Sequence, residues 1–326
     1  MNALASLRRR VAYARPAIAF AAALLAFNVA VDHSFLDPTN WPSILTVAMP
    51  FVLISMAAAP VIMSGGIDLS IGPLAGLANA VLIGVLVPLG AGSPFVAVPA
   101  TIATGAAVGC VNGALVAWLR VPPIIATLGS YLVLSGLTLE ILPTAGGRAP
   151  DWMIALAGRA GVFPLPLLIL AAVALAWLPL RQSAYGRNLL ATGGDQRTAF
   201  TSGIDVTMVR FVVYVLAGVI AAVTGFAFTV ALGSGDPTAA APYTLIGIAG
   251  AVLGGVSLAG GRGGLLGAAA GGAVLFLVQN LLSLAHVSAF YAQIAYGLIL
   301  LLALALNSIV DFSRRRRERA ANLGGV

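Results

Sequence analysis

S-G-G-I-D-L-S-I-G, residues 64–72, sets a single carboxylate, Asp68, among glycines and between two apolar runs, Ile44 to Met63 before it and Ile71 to Pro88 after it. Runs of this length approach what a bilayer crossing needs. A charge in or beside a membrane span is costly and usually faces a cavity, a pore or a partner. The glycines permit tight turns and close backbone approach, which lipid tolerates only where protein or a cavity covers the backbone. Two roles fit Asp68 and do not exclude each other. It caps the second helix from a short loop between hairpinned spans, or it belongs to a gate at the inner face.

The whole composition agrees with membrane burial. Of 326 residues, 60% are hydrophobic and 8% charged, with a mean hydropathy of +1.03. Soluble domains carry roughly 25% charge, so the expected fold is an all-α polytopic membrane protein. The 38 glycines and 18 prolines suit close helix packing and broken helices. There is no lysine, and a phosphate-binding P-loop requires one, so the chain has no ATP site of that type. The basic pI near 10.3 reflects arginines flanking spans, which points to anionic lipid and not to nucleic acid. The lone Cys110 excludes an intrachain disulfide and reads as a small core residue. His33 and His286 are isolated and suggest no metal site.

A basic head, residues 1–15, precedes an apolar run from Pro16 to Val31 with no good cleavage site, and reads as an uncleaved first span. Further windows fall at 44–63, 71–88, 94–118, 122–142, 163–180, 210–232, 243–258, 265–284 and 289–310. About ten transmembrane helices result, some broken or re-entrant at glycine-rich turns. With ten crossings and both termini cytoplasmic, every arginine except Arg148 and Arg159 falls inside, as the positive-inside rule asks. The chain is expected to form one transmembrane domain over 1–326, with a cytoplasmic loop at 181–210 and a basic tail at 311–326.

In that loop, Asn188 to Ala191 and Gln196 to Phe200 are expected as short helices separated by Gly193 and Gly194, with Gly203 stopping the second. Its apolar Leu189, Leu190 and Phe200 read as buried and favour a docking element over a solvated connector. A second glycine-rich turn, L-G-G-V-S-L-A-G-G-R-G-G-L at 253–265, echoes the first: Gly254-Gly255-Val256-Ser257-Leu258 parallels Gly65-Gly66-Ile67-Asp68-Leu69. Matching broken segments are common in transporters, so both turns are candidate inner gates. Gly263, Gly267 and Gly271 are spaced for tight helix contact.

Taken together, S-G-G-I-D-L-S-I-G at 64–72, I-A-T-L-G at 125–129, Y-G-R-N-L-L-A-T-G-G-D at 185–195, A-V-L-G-G-V-S-L-A-G-G-R-G at 251–263 and Y-A-Q-I-A-Y-G-L-I-L-L-L-A-L-A-L at 291–306 resemble the ribose-type permeases, the membrane subunits of bacterial ABC importers for monosaccharides. The likeness runs in register from about 44 to 310. Val256-Ser257 departs from a common Thr-Ser pair, and Pro242-Tyr243-Thr244 lacks the glutamate of a common Tyr-Glu pair. The resemblance implies a multi-pass subunit of the bacterial inner membrane. It pairs with a second permease copy or paralogue, an ATPase subunit that carries ATP and Mg inside, and a periplasmic sugar-binding protein outside.

On that basis the gate residues are Gly65, Gly66, Asp68, Gly254, Gly255, Ser257 and Arg262. ATPase docking falls to Asn188, Gly194, Asp195, Arg197 and Phe200. Arg148 and Arg159 either meet the binding protein or, for Arg148, pair with Asp151. A sugar path needs polar groups that match hydroxyls. Asn79, Asn112, Thr127, Tyr131, Gln279 and Asn280 are the candidates, with Tyr291 and Gln293 behind them. Such amides bond other helices as readily as ligands. Trp41, Trp118, Trp152 and Trp177 read as interfacial anchors.

Two rivals remain at this stage. A proton- or sodium-coupled secondary transporter wants buried mid-membrane carboxylates, and only Asp68 and Glu140 lie near spans. Within the importer class, nucleoside and branched-chain amino-acid permeases share the scaffold. No catalytic motif of an intramembrane enzyme is present.

Overall fold

The computed structural model describes residues 15–288, 291–299 and 301. The basic head before Arg15, most of the last expected span and the tail at 311–326 lie outside the described residues. Among the described residues the regular structure is helical, apart from a hairpin of two two-residue strands and an isolated antiparallel bridge between Gly146 and Gly235. The first half holds α1 (Arg15–Val31), α2 (Trp41–Met63), α3 (Ile71–Ala80), α4 (Pro94–Gly113) and α5 (Pro123–Ile141). Helix α3 continues as a π turn over Val81–Leu86, and α4 continues as another over Ala114–Trp118. Short α6 (Asp151–Ala155) precedes the hairpin of β1 (Arg159–Ala160) and β2 (Phe163–Pro164). The second half holds α7 (Pro166–Gln182), α8 (Ala184–Gly194), α9 (Gln196–Thr201), α10 (Val206–Leu232), α11 (Tyr243–Leu253) and α12 (Leu265–Leu284). Residues 291–299 are helical again.

Helix α2 is the axis of the molecule. It is apolar on all faces, the mark of a core helix, and it packs against α10, α11 and α12. Pro42 starts it at a position where no N–H is needed. Pro50 and Pro60 lie inside it and are buried, each removing one intrahelical bond. Around it, α10 joins α4 and α3, α12 joins α1, and α3 joins α5.

Helices α2, α4 with its π turn, α5, α10 and α12 are each long and apolar enough to cross a membrane. Helices α7 and α8 make a sixth if taken as one span bent by 79°. Helix α1, the Ile71–Leu86 stretch and α11 are apolar but shorter. A multi-pass membrane protein follows directly. The shortness of α11 has a local cause: eleven residues rise only about 16 Å, and its helix stops at the Gly254-Gly255 turn.

Glycine spacing acts as expected in α12. A Cβ on Gly271 would lie 1.9 Å from the Gly250 carbonyl, and one on Gly254 would lie 2.1 Å from that of Gly267, so α11 and α12 pack backbone to backbone. Three expectations need correction. Cys110 is exposed, because the outward face of α4 is apolar and left uncovered by this chain. Trp177 is 5% exposed inside the fold and is not a lipid-facing anchor. The first helix of the loop at 181–210 runs through Gly193 and Gly194 before breaking at Asp195, so those glycines end α8 and do not separate two helices.

Candidate functional site

Helix α2 ends at Gly65, whose φ of +83° suits glycine. The Gly65 N–H donates to the Ile62 carbonyl and the Gly66 N–H to that of Val61, the double bond of a Schellman stop. Helix α11 ends identically at Gly255 (φ +84°), with Gly255 N–H to Val252 O and Val256 N–H to Ala251 O. The two glycine turns are therefore true counterparts, but one residue out of the register that the sequence echo suggested: Gly65 matches Gly255, not Gly254.

From Gly66 the chain does not stay at the turn. The N–H of Gly72 donates to Thr244 Oγ1 at 3.1 Å, and Thr244 Oγ1 donates to the Leu69 carbonyl at 3.2 Å. Thr244 starts α11, whereas Gly254 ends it, and ten helical steps span about 15 Å. Asp68 thus lies two residues past Gly66, on a non-helical segment that leads from the first glycine turn to the start of the half-length α11, at the opposite end of that helix from the Gly254-Gly255 turn. The N-terminal ends of α3 and α11 converge there, and their partial positive charge favours a buried carboxylate.

Asp68 is 4% exposed. Its Oδ1 accepts hydrogen bonds from the Ser70 N–H (2.8 Å) and Ser70 Oγ (2.6 Å), an Asx turn before α3. It is not the cap of α3. Ser70 occupies that position without a capping side-chain bond, and Thr244 satisfies the Gly72 N–H from across the interface. The network then extends sideways. Asn112 Nδ2 on α4 donates to Ser70 Oγ at 2.8 Å, and Ser130 Oγ on α5 donates to Asn112 Oδ1. Thr127 Oγ1 accepts the Leu69 N–H at 3.1 Å and donates to the Pro123 carbonyl at 2.8 Å. Beside Gly66, the buried hydroxyl of Tyr214 on α10 has no partner among the described residues.

A glycine junction ties the turns to the loop at 181–210. The Gly261 N–H donates to the Met63 carbonyl at 2.9 Å, linking the second turn to the end of α2. Gly193 of α8 lies against both: a Cβ there would stand 1.8 Å from Met63 O and 2.6 Å from Gly261 N. A Cβ on Gly260 would stand 2.3 Å from Gly193 O and 3.0 Å from the Gly65 Cα. Three segments remote in sequence meet through bare backbone. Ser257 and Arg262 close the second turn through the Ser257 N–H to Arg262 carbonyl bond (3.2 Å), and the Arg262 side chain is exposed.

The loop beyond the junction is outward-facing. Asn188 is half-buried, Gly194, Asp195 and Arg197 are exposed, and Leu189 alone of the three apolar residues is fully buried. Leu190 is 37% exposed and Phe200 is 72% exposed, so the expectation of burial fails for both. Asp195 Oδ1 accepts the Thr198 N–H at 2.8 Å and caps α9, which holds its carboxyl below the usual carboxylate range.

The remaining candidates are scattered. Asn79 is buried and binds Thr229 Oγ1 (2.8 Å), the Ser234 carbonyl (3.2 Å) and the Asp236 N–H (2.9 Å), fixing the loop before α11. Asn280 Nδ2 donates to Asn28 Oδ1 at 3.0 Å, and Gln279 accepts from the Tyr296 hydroxyl. Both join α12 to neighbouring helices. Tyr131 is half-buried, and Tyr291, Gln293, Glu140 and Arg159 are exposed. Arg148 pairs with Asp151 at 2.8 Å on the surface. Of the six path candidates, only Asn112 and Thr127 enter the Asp68 network. Ser70, Ser130, Thr244 and Tyr214 were missed. Ser130 stands three residues after Thr127, one helical face on, which is the signal that could have found it.

Irregular backbone kept inside protein between half-length helices is how membrane transporters are commonly built. Residues 41–304 match the family described as the branched-chain amino acid transport system / permease component, and the chain belongs to that family. It is similar to the ribose import permease protein RbsC of Bacillus subtilis, at 36% identity over 85% of this chain and 87% of that protein. It is also similar to the D-allose transport system permease protein AlsC of Escherichia coli, at 32% over 88% and 90%. A third relative is the autoinducer 2 import system permease protein LsrC of Salmonella choleraesuis, at 33% over 91% and 86%. No solved structure matches the chain.

Proposed function

We propose that this chain is the membrane-spanning permease subunit of a bacterial ABC importer and forms the translocation path for a monosaccharide of the ribose, xylose or galactose kind. The relatives named for ribose and allose, matched over most of both chains, carry the substrate class. The family description favours branched-chain amino acids as the second reading. A binding protein selects the solute in either case, so the discriminating experiment is a competition panel of sugars and amino acids in reconstituted uptake.

In this reading ATP and Mg belong to a separate ATPase at the inner face, a periplasmic binding protein delivers the solute outside, and a second permease completes the path. The chain has ten spans with both ends cytoplasmic in the inner membrane. The observation that supports it best is the contact of Gly193, at the end of the exposed inner loop, with both glycine turns. A push on α8 and α9 by an ATPase reaches Met63 and Gly261 with no intervening side chain. The Asp68 network then acts as the latch that keeps α3, α4, α5 and α11 together while the turns move. Arg159 is left for the binding protein, and Arg148, already paired with Asp151, contributes less. Co-purification of the ATPase tests the docking surface: Phe200→Ala combined with Arg197→Ala is expected to lose it, and full retention overturns docking there.

A further inference from the structure

The Tyr214 hydroxyl on α10 is buried at the first glycine turn and makes no hydrogen bond among the described residues. Buried donors normally find an acceptor, and one left unpaired is costly. A Cβ on Gly66 would stand 3.0 Å from that hydroxyl, so glycine leaves the bare backbone of the turn facing it. An idle acceptor lies nearby. Asp68 uses only Oδ1 for Ser70, and its Oδ2 accepts nothing among the described residues. Asp68 follows Gly66 by two residues, at most about 7 Å of chain, near enough for its charge to act on the hydroxyl. Of the two groups, the tyrosine is the fixed one. Helix α10 is clamped to α4 at Tyr214 itself, because a Cβ on Gly109 would lie 2.5 Å from the Tyr214 carbonyl oxygen. The turn is the side that can move. It is built on Gly65 (φ +83°) and Gly66, and glycine backbone adapts most readily.

We propose that Tyr214 is a positioning residue that receives the first glycine turn in a second state of the molecule. In that state the segment from Gly66 to Asp68 shifts, and the Tyr214 hydroxyl donates to Asp68 Oδ2 while Oδ1 stays on Ser70. The shift breaks the bond from the Gly66 N–H to the Val61 carbonyl, which holds the turn in the structure. The donor is unpaired in one state and paired in the other, so the hydroxyl tilts the balance toward the second state by roughly tenfold. Its removal favours the first state without weakening any bond there. That sign separates a switch from a hydroxyl that supports the fold, whose loss would loosen the turn. The role in transport rests on the proposed function, whereas the two-state turn does not.

The test is hydrogen exchange, read by mass spectrometry on peptides covering 64–72 in the full-length chain in lipid nanodiscs. Wild type, Tyr214→Phe, Asp68→Ala and the double variant are compared. Exchange here follows the population in which the Gly66 N–H is released. Tyr214→Phe is expected to slow it about tenfold in the otherwise wild-type chain. In the Asp68→Ala background the same substitution is expected to change nothing, because the acceptor is already gone. Unchanged or faster exchange in Tyr214→Phe overturns the proposal, and faster exchange marks a hydroxyl held by a trapped water. Equal slowing with and without the Asp68 carboxylate also overturns it, because the acceptor is then another group. Solute uptake by Tyr214→Phe is expected to fall by a similar factor, and full uptake despite slowed exchange overturns the role in transport. Exchange is read without solute or ATP, so a wild type that shows no ATP-dependent uptake overturns the proposed function and leaves the exchange result standing.

Discussion

Asp68 works through its hydrogen-bonding geometry, since both contacts it makes with Ser70 are accepted by one oxygen. Replacement by alanine strands two buried donors, at about 1–3 kcal/mol, which corresponds to roughly tenfold or more in the balance between conformers. Asp68→Ala is therefore expected to cut solute uptake about tenfold while membrane levels hold. Asp68→Asn keeps an acceptor oxygen and is expected to retain most uptake. Equal loss in both variants, measured as initial rates normalised to protein, would make the charge itself the requirement. Thr244→Val removes the bond that satisfies Gly72 and is expected to resemble Asp68→Ala in the same assay. At this scale the sequence was partly legible. An aspartate among glycines and an amide in the apolar α4 stand out as residue types. Gln279 and Asn280 stand out equally, yet they bond neighbours of α12 elsewhere, because residue type does not disclose which helix a face will meet. Thr244 was visible only as a missing glutamate, and its role as a cap for another helix depends on a contact across 172 positions.

Among the elements, the end of α8 carries the sharpest expectation. Gly193 has no room for a Cβ, whereas the same atom on Gly194 meets nothing within 4 Å. Gly193→Ala is expected to abolish stimulation of ATP hydrolysis by loaded binding protein while the ATPase still co-purifies. Gly194→Ala is expected to behave as wild type. If both variants hydrolyse and respond alike, the junction does not transmit. Asp195 is a poor choice for probing docking, because it caps α9 and its loss disturbs the helix as well as the surface. The break between α8 and α9 could be read from glycines and polar residues, but its position was misjudged. Glycine pairs permit a helix end as well as a linker, and close approach to Met63 selects the former.

For the molecule as a whole, composition alone gave a multi-pass helical membrane protein, since apolar windows and arginine placement are properties of the chain and need no contacts. A broken or re-entrant path at the glycine-rich turns was legible, but the partners that 64–72 meets were not, because composition does not disclose which helix a returning segment contacts. The proposed sidedness rests on the arginine pattern and can be checked directly. In a Cys110→Ser background, Arg197→Cys is expected to react with an impermeant thiol reagent only from the cytoplasmic side and Arg159→Cys only from the outside. Labelling of both from one side would break the ten-span arrangement. The most direct test of the central claim is uptake of radiolabelled monosaccharide by vesicles holding this chain, its ATPase and its binding protein. ATP-dependent accumulation that disappears when the binding protein is omitted is the predicted result. Uptake by this chain alone, collapsed by an ionophore, would contradict the account and make the protein a secondary transporter.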